Sequence, residues 1–149
     1  MEEPTIAAAA LAEVAIGCAC KQLRRSARAV TQLYDEALRP SGLRITQFTL
    51  LVAVALSEPV RITRLADTLD LDRTTLARDL KPLTGRGLVE VAAGEDRRTR
   101  VVRLTGQGRA AIARAYPLWR QAQARLVEGS PWPGLAGGLE EVAARALAT

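Results

Sequence analysis

The 149-residue sequence contains no histidine, and this absence removes two kinds of chemistry. Without an imidazole ring there is no Cys/His zinc site and no histidine that could act as a general acid or base. The two cysteines, Cys18 and Cys20, are too few for a disulfide framework. The sequence also lacks a nucleophile elbow, a phosphate-binding loop and a cluster of metal ligands. These absences predict a protein that is not an enzyme and that binds no metal or cofactor.

Long hydrophobic runs and a targeting segment are missing as well. The longest apolar stretch, from Phe48 to Leu56, is far too short to span a bilayer. The start, Met1-Glu2-Glu3, is acidic, whereas a secretory signal begins with a basic region. We therefore expect a cytoplasmic protein with no membrane partner.

Aromatic residues are scarce, at 3% of the chain, and the 48% of hydrophobic residues are mostly alanine, leucine and valine. Alanine and leucine favour helices, so a mainly α fold is expected. The length of residues 1–149 suits one ordinary domain, or one compact module with accessory helices. The net charge of +5 and the isoelectric point of about 10.0 indicate a polyanionic partner, either nucleic acid or an anionic membrane surface.

Hydrophobic periodicity predicts two helices in the first part of the chain. The first is amphipathic, runs from Leu11 to Leu38 and ends at Pro40-Ser41-Gly42. The second runs from Thr46 to Leu56, with Thr46 as its N-cap. Because the second helix is apolar on nearly every side, we expect it to lie in the core.

A helix–turn–helix pattern follows. Thr63 is predicted to N-cap a short third helix, and Asp72 to N-cap a fourth. Between these helices, Leu71 is expected to be buried in the turn. The core face of the fourth helix repeats at i, i+4 and i+7 and consists of Leu76, Leu80 and Leu83. Pro82 is expected to bend or loosen this helix.

A β-hairpin with a cationic tip is predicted directly after the fourth helix. Two apolar, β-branched runs, 88–92 and 101–104, flank a turn that is led by Gly94 and is rich in arginine. Thr105 can then cap a long fifth helix over 106–128, which Pro117 should kink. A heptad-like seam suited to a partner helix consists of Ile112, Ala115, Trp119, Ala122 and Leu126. A rigid break over 130–134 precedes a sixth helix.

The fourth predicted helix has the features of a DNA recognition helix. A helix fits the major groove, and side chains near its N-terminus reach the base edges. The candidate contacts are Arg73, Thr74, Thr75 and Arg78. An ordinary solvated helix face would carry similar residues, but the basic hairpin that comes next in the chain favours DNA binding.

The hairpin tip suggests a second DNA contact. An arginine inserted into a narrow minor groove exploits the negative potential there. An aspartate two residues earlier can hold such a guanidinium group through a bidentate pair, and Asp96 and Arg98 have that spacing. We therefore predict that Arg98, braced by Asp96, enters the minor groove, while Arg97 and Arg100 contact phosphates.

The order of these elements and three short motifs resemble the MarR family of winged-helix transcription regulators. The motifs are D-x-R at Asp96 and Arg98, L-T-x-x-G at Leu104, Thr105 and Gly108, and L-x-x-x-G-L-V at Leu83, Gly87, Leu88 and Val89. The resemblance implies a mainly α fold with a small β-hairpin wing. It also implies a winged helix–turn–helix DNA-binding lobe over 43–105, flanked by dimerisation helices over 11–40 and 106–149.

The same resemblance implies a function. Members of the family bind double-stranded DNA as homodimers on pseudo-palindromic operators. Many are repressors that small anionic or phenolic ligands, or oxidants, release from DNA. A winged-helix adaptor that binds only protein is an alternative interpretation. A wing with few cationic residues would favour that alternative, whereas this wing is rich in arginine.

Two hypotheses concern the signal. In the first, Phe48 and Trp119 line a ligand pocket, although both could simply belong to the core. In the second, the chain resembles the peroxide-sensing branch of the family, with Cys20 as the oxidised residue and Tyr34 as a partner. The second partner position of that branch holds Ile45, which is a departure. Cys18 and Cys20 are expected on opposite sides of one helix, so a disulfide between them is not predicted.

Overall fold

The computed structural model describes residues 5–148 as a mainly helical chain with one small antiparallel sheet, which confirms the predicted fold class. The helices are α1 (Ala8–Gly17), α2 (Ala19–Leu38), α3 (Ile45–Ser57), α4 (Ile62–Thr68), α5 (Arg73–Gly85), α6 (Gly106–Val127) and α7 (Trp132–Leu147). The strands are β1 (Val60–Arg61), β2 (Val89–Ala93) and β3 (Arg100–Leu104). Of the helices described, none is both long enough and apolar enough to cross a membrane. The acidic start Met1-Glu2-Glu3 lies outside the described residues.

Two compact units make up the chain, Met1–Leu33 and Tyr34–Thr149, so the boundary falls within α2. In the first unit, the prediction of one continuous helix from Leu11 is wrong. α1 ends at Gly17, and Cys18 adopts an extended backbone with φ −66° and ψ 107° before α2 begins. Glycine is a poor helix former, which explains a break at this point.

The broken end of α1 is capped by side chains from α2. Lys21 Nζ donates to the carbonyl of Ala15, and Gln22 Nε2 donates to the carbonyl of Ile16, both at 2.7 Å. These bonds satisfy acceptors that a helix C-terminus leaves without an intrahelical partner.

Two predicted N-caps in the second unit are wrong. α3 begins one residue before Thr46, and α4 begins one residue before Thr63. At α3, the amide of Arg44 donates to Gln47 Oε1 at 3.1 Å, and the amide of Ile45 donates to an Asp35 carboxylate oxygen at 2.7 Å. Side chains from elsewhere in the unit thus satisfy these amides, and a threonine hydroxyl is not needed.

The helix–turn–helix pattern is confirmed in its main features. α4 and α5 pack through buried leucines, and the predicted face of α5, Leu76, Leu80 and Leu83, is buried. Leu71 is only half-buried, so its predicted burial in the turn is wrong. Its amide donates to the carbonyl of Ala66 at 2.9 Å, which holds the turn through the backbone instead. α5 continues through Pro82 to Gly85.

The sheet has the order β1-β3-β2, and its β2–β3 hairpin is the predicted wing. The register pairs Val89 with Leu104 at the base and Ala93 with Arg100 near the tip. β1 is an additional strand of two residues that pairs with Val101 and Val102 of β3. Two residues are too few to produce a period-two pattern, so the sequence did not predict this strand.

The core of the second unit extends onto α6. Ala111 and Ala115 are buried in it, and Ile112 and Trp119 pack against it. The first part of the predicted partner seam therefore contacts its own chain, which corrects the prediction for those residues. An added Cβ on Gly108 would lie 2.1 Å from the carbonyl oxygen of Leu88, so this close approach requires glycine. α7 begins at Trp132, inside the predicted break.

Candidate nucleic-acid interface

The first turn of α5 is fixed by its N-cap, as the sequence predicts. One carboxylate oxygen of Asp72 accepts the amide of Thr75 at 2.9 Å, and the other accepts the Thr75 hydroxyl at 2.6 Å. The Thr75 hydroxyl and then the Thr75 amide lower the pKa of the Asp72 carboxyl. The cap therefore orients the part of α5 that carries the candidate recognition residues.

The predicted recognition residues differ in how free their side chains are. Arg73, Thr74 and Arg78 are exposed, and Arg78 Nε lies 3.7 Å from an Asp79 carboxylate oxygen. Thr75 is half-buried, and its hydroxyl hydrogen is already donated to Asp72. Three of the four side chains are thus available on the surface, while Thr75 mainly shapes the turn.

The wing tip is a closed turn built on backbone hydrogen bonds. The amide of Gly94 donates to the carbonyl of Thr99, and the amide and hydroxyl of Thr99 both donate to the carbonyl of Asp96, each at 2.8 Å. An added Cβ on Gly94 would lie 2.5 Å from Thr99 Oγ1, so the turn depends on glycine there. The tip is therefore an ordered support for its charged side chains.

In the structure, Asp96 contacts the backbone of Arg98, and the predicted side-chain brace is not formed. The Asp96 carboxylate accepts the backbone amide of Arg98 at 3.0 Å, and among the described ion pairs none joins the two side chains. Aspartate commonly bonds the amide two residues ahead in a turn, and this local bond is made here. Arg97, Arg98 and Arg100 are exposed, with no ion pair in the described part of the chain.

Glu58, at the C-terminal end of α3, is a residue that sequence reasoning missed. Its Oε2 accepts the amide of Leu104, the last residue of the wing, at 2.6 Å. Its Oε1 forms an ion pair with Arg109 in the first part of α6. Burial raises the pKa of Glu58, but the Leu104 amide and the Arg109 guanidinium outweigh it, and the net shift is downward. This carboxylate therefore ties the base of the wing to α3 and α6.

An apolar pocket of about 270 Å³ lies between α3 and α6. The structure brings Phe48 and Trp119 together in its wall, with ring centroids 6.3 Å apart. Tyr116, which no local sequence pattern marks, stacks on Trp119 with centroids 6.0 Å apart. Thr49 and Val52 complete the lining. A small pocket lined by aromatic rings suits a planar apolar ligand.

The residues of the oxidant-sensing hypothesis fall in different units. Cys20 is exposed and Cys18 is half-buried, and both are free thiols. Because Cys18 lies between two helices, the prediction that Cys18 and Cys20 lie on opposite sides of one helix is wrong. In the second unit, the Tyr34 hydroxyl donates to Gln123, and burial raises the pKa of this tyrosine.

Comparisons with known proteins identify relatives of this chain. The model of the MarR family matches residues 41–99. An uncharacterized HTH-type transcriptional regulator of Bacillus subtilis, YwoH, is 31% identical over 84 residues, which are 56% of this chain and 61% of that protein. The match thus spans less than two thirds of the length of YwoH.

Two solved structures are similar over most of the chain. The transcriptional regulator MosR of M. tuberculosis, solved in complex with DNA, is 42% identical, with a TM-score of 0.83 over 88% of this chain and 97% of MosR. CouR of Rhodococcus jostii, solved with p-coumaroyl-CoA, is 26% identical, with a TM-score of 0.67 over 81% of this chain and 86% of CouR.

Proposed function

The chain belongs to the MarR family of DNA-binding transcriptional regulators, and from this membership we propose that it binds duplex DNA sequence-specifically through α5 and the wing. The observation that carries the proposal is that one compact unit exposes two ordered cationic elements. These are the Asp72-capped first turn of α5 and the closed tip of the β2–β3 hairpin. The relative MosR, solved on DNA, supports this proposal. The proposed role is binding, without catalysis.

We assign the major groove to α5. Arg73 and Arg78 carry exposed guanidinium groups that suit guanine edges or phosphates, and Thr74 can donate to phosphate or contact a thymine methyl group. Thr75 keeps its methyl group for base contact, while its hydroxyl stabilises the cap. The Asp72 cap orients all four side chains by fixing the backbone from which they project.

We assign the minor groove to Arg98, at the tip of the wing. The Asp96 carboxylate shapes the turn through the Arg98 amide, so the guanidinium group remains free to enter the groove. Arg97 and Arg100 are assigned to flanking phosphates, because a contact to phosphate requires charge and reach but no particular base.

We propose that the active form is a homodimer joined by the terminal helices, within 11–40 and 106–149. α1 and α7 contain no buried residue. Six of their large apolar side chains are between 47% and 81% exposed: Leu11, Val14, Ile16, Leu135, Val142 and Leu147. A second copy would cover such surfaces, and its two-fold symmetry would match a pseudo-palindromic operator.

We propose that the protein is a repressor and that a small phenolic or anionic ligand releases it from DNA. The pocket between Phe48, Tyr116 and Trp119 is the candidate effector site. Its two walls, α3 and α6, also carry Glu58 and Arg109, which hold the base of the wing. A ligand that moves these walls would therefore move the wing. The complex of CouR with p-coumaroyl-CoA supports an aromatic ligand.

Selection of bound duplexes from a random-sequence pool tests the DNA-binding proposal. The wild-type protein is expected to enrich a two-fold symmetric sequence. A variant with Arg73→Ala and Arg78→Ala should fold normally and enrich no sequence, because both exposed guanidinium groups that read bases are removed. Enrichment of the same sequence by this variant would contradict the assignment of α5.

A further inference from the structure

The first half of α2 carries a basic surface that is separate in sequence from α5 and the wing. Four exposed side chains form this α2 basic stripe: Lys21, Arg24, Arg25 and Arg28. Their spacings of three, four and seven residues place them on one side of a helix. From Val14 to Tyr34 the chain contains no acidic residue, so nothing local neutralises the stripe.

The side chains of the α2 basic stripe repel one another. Lys21 and Arg25 are four residues apart, as are Arg24 and Arg28, and like charges at this spacing destabilise a helix. Among the ion pairs of the described residues, none involves the stripe. Lys21 is engaged at the carbonyl of Ala15, which leaves three arginine side chains facing solvent. An anionic partner would relieve the repulsion.

We propose that the α2 basic stripe binds the phosphodiester backbone of duplex DNA, as a contact in addition to α5 and the wing. Three of its four cations are arginines, whose planar groups pair with phosphate through two parallel hydrogen bonds. This inference goes beyond the proposed function, which assigns the DNA contacts to the second unit, whereas the stripe lies in the first. Since phosphate contacts carry no base information, the stripe adds affinity for any sequence.

The composition of α2 favours DNA over an anionic membrane. A basic amphipathic helix binds a membrane by inserting large apolar or aromatic side chains. The apolar side of this half of α2 offers Leu23, Ala27 and Val30, with no aromatic residue. Such a side is too small to anchor a helix in lipid, whereas contact with phosphate needs only the cations.

The test compares two triple variants that remove the same charge. The first replaces the arginines of the stripe, Arg24→Gln, Arg25→Gln and Arg28→Gln, and keeps Lys21 as the cap of α1. The control replaces three exposed arginines of α6, Arg114→Gln, Arg120→Gln and Arg125→Gln. Glutamine is a good helix former, so both variants should fold, which circular dichroism would verify. The dissociation constant for a random-sequence duplex is then measured across salt concentrations.

The plot of log affinity against log salt gives the decisive slope. Each lost phosphate contact reduces the magnitude of this slope by about 0.9. The slope of the stripe variant is therefore expected to be smaller in magnitude than that of the control by about one to three units. A slope equal to that of wild type or of the control would overturn the proposal. If the stripe variant instead lost binding to anionic lipid vesicles while its DNA salt slope matched that of wild type, the proposal would be overturned, and the stripe would be a membrane-binding surface.

The proposed function and this inference fail in different ways. If the wild-type protein enriches no sequence from a random pool, the assignment of α5 and the wing is contradicted. If the stripe variant enriches the same sequence as wild type but shows a reduced salt slope, the stripe proposal is supported.

Discussion

Two aspartates in the second unit, Asp72 before α5 and Asp96 in the wing tip, were predicted to do different things but do nearly the same. Asp72 was predicted to cap a helix, and it accepts the Thr75 amide at 2.9 Å. Asp96 was predicted to hold the Arg98 guanidinium group, but it accepts the Arg98 amide at 3.0 Å. In both places a short acidic side chain serves the backbone beside it.

The outcomes of the predictions for Asp72 and Asp96 show which contacts can be predicted from residue spacing. A bond from aspartate to an amide two or three residues ahead orders one short side chain, and the turn already holds the amide in place. A bond to a guanidinium group must also order a long, solvated side chain, which costs conformational entropy. The wing therefore presents Arg98 as a free cation on a fixed backbone.

Replacing Arg98 is expected to give the largest loss of DNA affinity. Arg98→Ala should weaken binding to the selected operator by roughly ten- to a hundredfold, because a cation in the minor groove is lost. Arg100→Ala is the matched control and should mainly lower the salt slope by about one unit. Fluorescence anisotropy with a labelled operator across salt concentrations measures both. Equal affinities for Arg98→Ala and wild type would remove the wing tip from the interface.

Glu58 differs from both aspartates because its carboxylate accepts a backbone amide and also pairs with a guanidinium group. Glu58→Ala should lower the free energy of unfolding by about 1–2 kcal/mol, since the Leu104 amide loses its acceptor and Arg109 its partner. Glu58→Gln should lose less, because an amide oxygen can still accept from Leu104. Urea unfolding monitored by circular dichroism gives the values, and identical losses for both variants would mean that the Leu104 bond contributes nothing.

The pH dependence of stability follows from the lowered pKa of Glu58. A carboxyl whose pKa is lower in the folded state stabilises the protein above the ordinary pKa of glutamate. That contribution is lost as the pH falls through the pKa of the folded state, where the group is protonated. The gap in unfolding free energy between wild type and Glu58→Gln should therefore close in acid. A constant gap from neutral pH down through this range would contradict the ion pair with Arg109.

Local spacing predicted most of the interface, and its failures are contacts between distant parts of the chain. The Asp72 cap and the hairpin depend on neighbouring residues, so the sequence alone predicted them. Glu58 meets partners 46 and 51 residues away, and no local pattern marks it. Tyr116 was missed because its role depends on stacking against Trp119 beside α3. The break at Cys18 was missed because the segment before Gly17 also consists mostly of good helix formers.

Substitutions at Asp96 distinguish a carboxylate that serves the Arg98 amide from one that braces the Arg98 guanidinium group. If the carboxylate serves the Arg98 amide, Asp96→Asn should keep most of the affinity for DNA, because the amide oxygen of asparagine can accept the same bond. Asp96→Ala should then lose roughly two- to tenfold through a less ordered tip. If the carboxylate instead braces the guanidinium group when DNA is bound, both variants should lose affinity equally. Anisotropy measurements on the selected operator distinguish the two outcomes.

The same pair of substitutions at Asp72 gives the smallest expected effect. Asparagine and aspartate are both good N-caps, so Asp72→Asn should leave the thermal midpoint almost unchanged, while Asp72→Ala should lower it by a few degrees at most. Because the pKa of Asp72 is lowered in the folded state, any advantage of aspartate over asparagine should exist above the ordinary pKa and disappear in acid. A thermal midpoint for Asp72→Asn as low as that for Asp72→Ala would show that the negative charge, and not the accepted amide bond, stabilises the start of α5. The two aspartates would then differ in kind, because at Asp96 the accepted amide bond alone is expected to carry the effect.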